Sequence, residues 1–158
     1  DRRRANRTEG GPTGPKEGAK LGTPFETYRG AVYPWEHDIM EHMNVRFYVA
    51  KFDEGTCHLF GKLGMTAEYF RDNQRTMGAV QQNLTYQREL FAGDLLVVRT
   101  EVLAITERKL HFIHRMHDVA NDEVVASADM IGVHIDRKAR KATPFPDEVL
   151  AAGRELAK

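Results

Sequence analysis

The chain predicts an α+β domain in which a strongly curved antiparallel sheet wraps one long helix. Three observations carry this expectation: a strand-like run at Phe25–Tyr33, a single amphipathic helix soon after it, and four strand-like runs in succession from about Arg75 onward. The 158 residues suit one domain with one core and are too few for two comfortable ones.

Phe25 to Tyr33 (FETYRGAVY) is rich in aromatic and β-branched residues and is closed by Pro34, as a strand should be. The helix follows a short polar segment. Val45, Tyr48, Val49, Phe52, Leu59, Phe60 and Leu63 recur at spacings of three and four, with Thr56 on the same face. Asn44 is a natural N-cap and Gly64 a natural stop, giving a helix roughly 28 Å long at the standard rise.

Beyond it, Thr76–Glu89, Asp94–Thr106, Lys109–Val119 and Glu123–Asp136 read as strands. Ala92-Gly93-Asp94 and Asn121-Asp122 are the turns between them, and Gly78 allows a bend or close approach. Val97, Val102, Leu103, Ile105, Val125, Ile131 and Val133 place apolar groups on both faces, as a sheet covered by a helix and by a partner would. A basic turn, Arg137–Lys141, precedes a last short helix from about Asp147 to Leu156.

Residues 1–24 offer almost nothing to bury and are expected to form a flexible tail, leaving 25–158 as the domain. Arg2, Arg3, Arg4 and Arg7 could touch nucleic acid, but a solvated leader is the simpler reading. Basic and acidic residues balance at 23 each, which argues against nucleic acid or an anionic membrane as the partner. The longest aliphatic run, Leu95–Val98, is far too short to span a bilayer, and no secretory leader is visible. The lone Cys57 has no intrachain partner and is read as a buried or half-buried thiol in a reducing cytoplasm.

Chemistry concentrates in Trp35–Tyr48, where ionisable groups crowd the start of the helix. That end presents unpaired N–H groups and about half a positive charge, a natural site for an oxyanion. His111, His114 and His117 recur at intervals of three, which alternates faces on a strand, and His37, Asp38 and His42 come from one short loop. Neither set makes a good metal site, so no metal is expected.

Asp38-x-Met40-x-His42-Met43-Asn44-x-x-x-Tyr48 resembles the D-x-[MN]-G-H-[MV]-N-x-x-x-Y signature of hotdog-fold thioesterases. These include the 4-hydroxybenzoyl-CoA thioesterase superfamily and related acyl- and betainyl-CoA thioesterases. The likeness continues through Phe52-Asp53-Glu54, Tyr86, Gly93-Asp94 and Asp136, covering about Phe25 to Pro146. It implies a hotdog domain that hydrolyses an acyl-CoA thioester and works as a homodimer or homotetramer with its site between subunits. Coenzyme A enters as part of the substrate and no cofactor is implied.

By the same resemblance Asp38 is the general base or nucleophile, backbone N–H groups of Met43, Asn44 and Val45 form the oxyanion hole, His42 orients thioester or water, and Asn44 fixes the loop. Glu41 and Tyr48 tune the site. Glu41 stands where the family has Gly; it could raise the pKa of Asp38, select a small or cationic acyl group, or mark a silent acyl-CoA-binding protein. Glu54 is an alternative carboxylate on the helix. A hydratase would need a differently placed His with its acid, and no such pattern is found. Arg108, Lys109, Arg137 and Lys138 are the groups that could meet coenzyme A phosphates.

Overall fold

A computed structural model describes residues 22–158. Its elements run β1 (Phe25–Ala31), a single 3₁₀ turn (Pro34–Glu36), α1 (Val45–Lys62), α2 (Ala67–Asp72), β2 (Arg75–Tyr86), β3 (Leu95–Ile105), β4 (Lys109–Asp118), β5 (Val124–Asp136), β6 (Lys141–Ala142) and α3 (Asp147–Leu156). The sheet is antiparallel throughout, in the order β1-β3-β4-β5-β2, with β6 paired to the end of β5. It curls around α1 in the hotdog arrangement.

The strands and main helix lie where the patterning puts them. Asn44 caps α1 by accepting the Arg46 N–H, and Gly64 ends it at φ +85°. The helix α2 escapes the periodicity reading because six residues are too few to show a period. It is held by its cap, the Thr66 hydroxyl accepting the Tyr69 N–H at 3.2 Å. The irregularity in β2 is a bulge between Ala79 and Gln81, at Val80, two residues past the expected Gly78.

Of the tail expected over residues 1–24, all but the last three residues lie outside the described residues. Gly22 is buried, so close to the Leu156 and Val102 carbonyls that no side chain would fit.

The core lies between α1 and the concave face of the sheet. Phe52 and Leu59 of α1 meet Leu96, Val98, Phe112, Met116, Ala126 and Ala128, all nearly inaccessible. Burying a large side chain of this kind contributes about 1.5–3 kcal/mol. The opposite face is mixed: Val97, Ile113, Ile131 and Val133 interleave with ion pairs between Arg115 and Glu101 (2.6 Å) and His111 and Asp129 (2.7 Å). His114 points inward while His111 and His117 point outward, so the three imidazoles never converge. Cys57, expected at least half-buried, is exposed, because it stands one residue off the stripe formed by Phe52, Thr56 and Leu59.

One polar chain crosses this core. Among Thr27, Thr100, His114 and Thr56, consecutive side-chain polar atoms lie 2.6–2.8 Å apart. Thr56 passes its own proton on to the Phe52 carbonyl at 3.1 Å. Thr56 therefore accepts from the His114 Nε2–H, and Nδ1 accepts from Thr100. The imidazole is neutral, its pKa pushed down to about 3 by burial.

The unfolded chain takes up a proton at His114 below its ordinary pKa of about 6.5, and the folded chain does not until about pH 3. Stability from this group is thus complete above about pH 6.5 and falls by about 1.4 kcal/mol per unit as pH drops toward 3. Urea unfolding between pH 7 and 4 will show this slope, and His114→Gln will flatten it relative to the native chain. An equally steep acid limb in His114→Gln would contradict the assignment.

Candidate active site

The segment between β1 and α1 is a closed loop fastened by its own backbone. The Asn44 N–H donates to the Glu36 carbonyl (2.9 Å), the Asp38 N–H to His42 (3.2 Å) and the Glu41 N–H to Asp38 (3.0 Å). The Met43 N–H ties the loop to the chain after β2 by donating to Leu90 (2.8 Å), and Ala92 donates to His37 Nε2 (2.9 Å).

Asp38 lies on this loop with both carboxylate oxygens engaged. Oδ1 accepts the Met40 N–H and Oδ2 the Asn44 amide, each at 2.8 Å. The Asn44 bond, and then the Met40 N–H, hold its carboxyl below the usual carboxylate range. Of the alternatives open for Glu41, a raised Asp38 pKa is not what the structure shows: the glutamate side chain points to solvent. Its backbone, though, adopts φ +64°, the left-handed conformation a glycine would take with ease.

Asn44 joins the loop to the helix start through three hydrogen bonds. One amide group caps the helix, donates to Asp38, and sits on a backbone N–H bound to Glu36. His42 is partly exposed, with Nδ1 3.3 Å from the Met43 carbonyl and Nε2 3.6 Å from Glu89. Tyr48 is buried and donates to the Arg88 carbonyl at 3.1 Å.

The oxyanion set needs correction. The N–H groups of Met43 and Asn44 are committed to the Leu90 and Glu36 carbonyls, leaving neither free for a substrate oxygen. Val45 is the first helical residue, with no carbonyl one turn earlier to receive its N–H. It stands exposed beside a recess of about 190 Å³ lined by His42, Tyr48, Tyr86 and Glu89.

Sequence reasoning missed the clasp beneath this loop. Lys51 Nζ lies 2.7 Å from Glu36 Oε1, both side chains over nine-tenths buried, and Glu36 Oε2 accepts the Tyr33 N–H at 3.2 Å. Lys51 falls on the buried stripe with Tyr48, Phe52 and Gly55, and a lysine there signals a buried acid partner. The apolar residues around Asp38 face outward: Trp35 is 70%, Met40 61% and Ile39 94% exposed. Glu54 is exposed, whereas its neighbour Asp53 borders a second, smaller recess with Thr56, Phe60, Gln82 and Met130.

The basic groups lie elsewhere. Arg137 borders a recess with Thr76 and Arg140, and Lys138 donates its N–H to Asp136. Arg108 pairs with Glu107 in the turn whose carbonyl receives the His134 N–H, and Lys109 begins β4. All four thus sit toward the Arg75 end of β2, roughly 25–35 Å along the strand from Tyr86 at the recess. Within one chain they are not brought to Asp38. Among the described residues, no three His, Cys, Asp or Glu side chains group as metal ligands would, and no helix is long and apolar enough to cross a membrane.

A family model described as the thioesterase-like superfamily matches residues 32–153. The chain is 28% identical over 120 residues to an L-carnitine dehydrogenase/betainyl-CoA thioesterase of Rhizobium meliloti, covering 76% of this chain but about a quarter (24%) of that relative's length. It is 24% identical over 131 residues to a betainyl-CoA thioesterase of Pseudomonas aeruginosa, covering 83% of this chain and 82% of that one. In fold it is similar to a Staphylococcus aureus protein solved in complex with CoA, with a TM-score of 0.80 at 16% identity over 89% of this chain and 88% of that chain.

Holding a non-glycine residue in the left-handed region costs about 1–2 kcal/mol. Glu41→Gly will therefore stabilise the chain by about 1 kcal/mol in chemical unfolding. A destabilised variant would show that the glutamate side chain makes a contact the structure does not contain.

Proposed function

The chain belongs to the thioesterase-like superfamily, and from that premise we propose that it hydrolyses acyl-CoA thioesters with Asp38 as the reacting carboxylate. The observation that carries this reading is the pairing of Asp38 with the helix cap. Asn44 positions the Asp38 carboxylate and favours its ionised form while starting a helix whose first N–H is unengaged. The relatives named as betainyl-CoA thioesterases support the activity class.

With a thioester carbonyl at the helix start, the Val45 N–H and the helix dipole stabilise the oxygen as it gains charge. Asp38 either takes a proton from the attacking water or attacks the carbonyl carbon itself, giving an anhydride that water then opens. The products are the same: the carboxylic acid and the free thiol of coenzyme A. A thiolate leaves readily, so no strong general acid is needed. His42, at the edge of the recess, orients the thioester or the water. A silent binding protein is the second reading, but the feature that favoured it has lost its force. Glu41 adopts a left-handed backbone that a glycine would take with ease and turns its carboxylate to solvent.

The working form is a homodimer built on β2, or a tetramer of such dimers. β2 is a long edge strand of the sheet, and Val80, at its bulge, is 60% exposed. Such an edge invites pairing with a second copy. Antiparallel pairing about Val80 would bring the Arg75 end of one β2 beside Tyr86 of the other. Arg137 and Lys138 of one copy, with Arg108 and Lys109 behind them, would then meet coenzyme A phosphates at the other copy's site. It would also give Trp35, Ile39 and Met40 a surface to cover them. A reducing cytoplasm suits the exposed, unpaired Cys57.

Free-thiol release from a panel of acyl-CoAs will fall at least ~100-fold in Asp38→Asn. Unchanged turnover would remove Asp38 from its role. In Asn44→Ala the acid limb of kcat/KM will move to higher pH, because the bond that favours the ionised carboxyl is gone.

Val80→Lys, a charge placed on the pairing edge, will shift light-scattering mass from dimer to monomer and reduce turnover in parallel. An active monomer would refute the shared site.

A further inference from the structure

We propose that His37 is a positioning residue for the reaction at Asp38, its ring nitrogen fastening the Asp38 loop to the turn between β2 and β3. The inference rests on the hydrolysis proposed above and names what sets the reacting carboxylate against the opposite side of the recess.

Asp38 follows the base of a narrow hairpin. His37 and Met43 face each other there in an antiparallel bridge, and the Asn44 N–H closes on the Glu36 carbonyl beside them. With the Asn44 amide on its carboxylate, Asp38 is thereby fixed relative to α1. These bonds leave open how the hairpin stands against the segment Tyr86–Glu89, which forms the other side of the recess. Two bonds cross to the residues that follow that segment. From one arm the Met43 N–H donates to the Leu90 carbonyl (2.8 Å), and the other arm receives the Ala92 N–H at His37 Nε2 (2.9 Å). A single bond is a pivot; a second, on the opposite arm, fixes the angle.

A backbone N–H can only donate, so Nε2 is bare and the imidazole carries its proton on Nδ1. The Phe91 ring meets the imidazole edge to face, centroids 6.5 Å apart and planes at 80°, which limits rotation of the His37 ring. The turn that supplies the donor is itself well fastened. The Asp94 N–H donates to the Phe91 carbonyl (3.0 Å), the Phe91 N–H to Asp94 Oδ2 (2.8 Å) and the Gly93 N–H to the Val32 carbonyl (2.9 Å). Ala92 is therefore a fixed donor, and the loop is what it locates. Ala92 is also exposed, so water could satisfy its N–H equally well. Burial does not demand this bond. It contributes direction far more than stability, as a contact that positions a reacting group should.

Two substitutions separate the acceptor from the ring. His37→Leu removes it, and His37→Gln returns an amide oxygen near the place of Nε2. With acyl-CoAs that the native chain hydrolyses, His37→Leu should lower kcat about 10-fold while KM stays within about twofold, because a displaced carboxylate slows the chemical step more than it weakens thioester binding. His37→Gln should recover most of that loss. In the isotope-labelled native chain, nuclear magnetic resonance should detect a scalar coupling between the Ala92 amide nitrogen and His37 Nε2, which only an N–H···N hydrogen bond transmits. A native chain without the coupling, an unchanged kcat in His37→Leu, or a His37→Gln variant no better than His37→Leu would overturn the role of His37 alone. If His37→Leu does not fold, the coupling and His37→Gln decide, and a His37→Gln variant about 10-fold slower than the native chain overturns it. No thiol release by the native chain, or release unchanged in Asp38→Asn, refutes the underlying reading, and the inference falls with it.

Discussion

Everything at the site depends on Asn44 making three hydrogen bonds at once. Its side-chain oxygen receives the Arg46 N–H, its amide reaches Asp38, and its backbone N–H binds the Glu36 carbonyl. The first bond fixes where the helix begins, the second fixes the carboxylate, and the third closes the loop between them. The Asp38 carboxylate and the helix dipole are thus located by one residue, so neither can drift without the other. Asparagine suits the position because its short amide combines an acceptor for the cap with a donor for a carboxylate; aspartate would cap as well and repel Asp38.

That hub is anchored from below by the buried Lys51–Glu36 pair. Two charges taken out of water cost several kcal/mol each, and their attraction offsets this only in good geometry. Here Glu36 has Lys51 on one oxygen and the Tyr33 N–H on the other, while its carbonyl holds Asn44. The same residue thus connects the end of β1, the helix and the loop. Its directionality outlasts any net stabilisation: an apolar pair in that place would pack, but it would not orient the Glu36 backbone toward Asn44.

How much of this was legible follows from the range of each interaction. The helix, four long strands and α3 are visible because their burial repeats along the chain, at Phe52, Thr56 and Leu59 or at Leu110, Phe112, His114 and Met116. The cap and Asp38 are visible because they lie within one short motif. The Met43 and Asn44 N–H groups look free in the sequence because their acceptors, Leu90 and Glu36, are set by loop closure, which has no period. The basic clusters were grouped with the site on charge alone, whereas strand register puts them at the far end of β2.

Glu41 shows how a loop can impose a glycine-like backbone on a residue that carries a side chain. Its φ of +64° is disfavoured for any residue with a Cβ, by about 1–2 kcal/mol. Against that stand the bonds that require the turn: Glu41 to Asp38, Asp38 to His42, Met43 to Leu90 and Asn44 to Glu36. At roughly 1 kcal/mol net apiece they outweigh the strain several times over. The loop therefore dictates the conformation and the residue complies, which is why the glutamate carboxylate ends in solvent. A glycine at this position eases the turn; it is not what makes the turn. What the site requires there is a backbone shape, and the surrounding hydrogen bonds supply it.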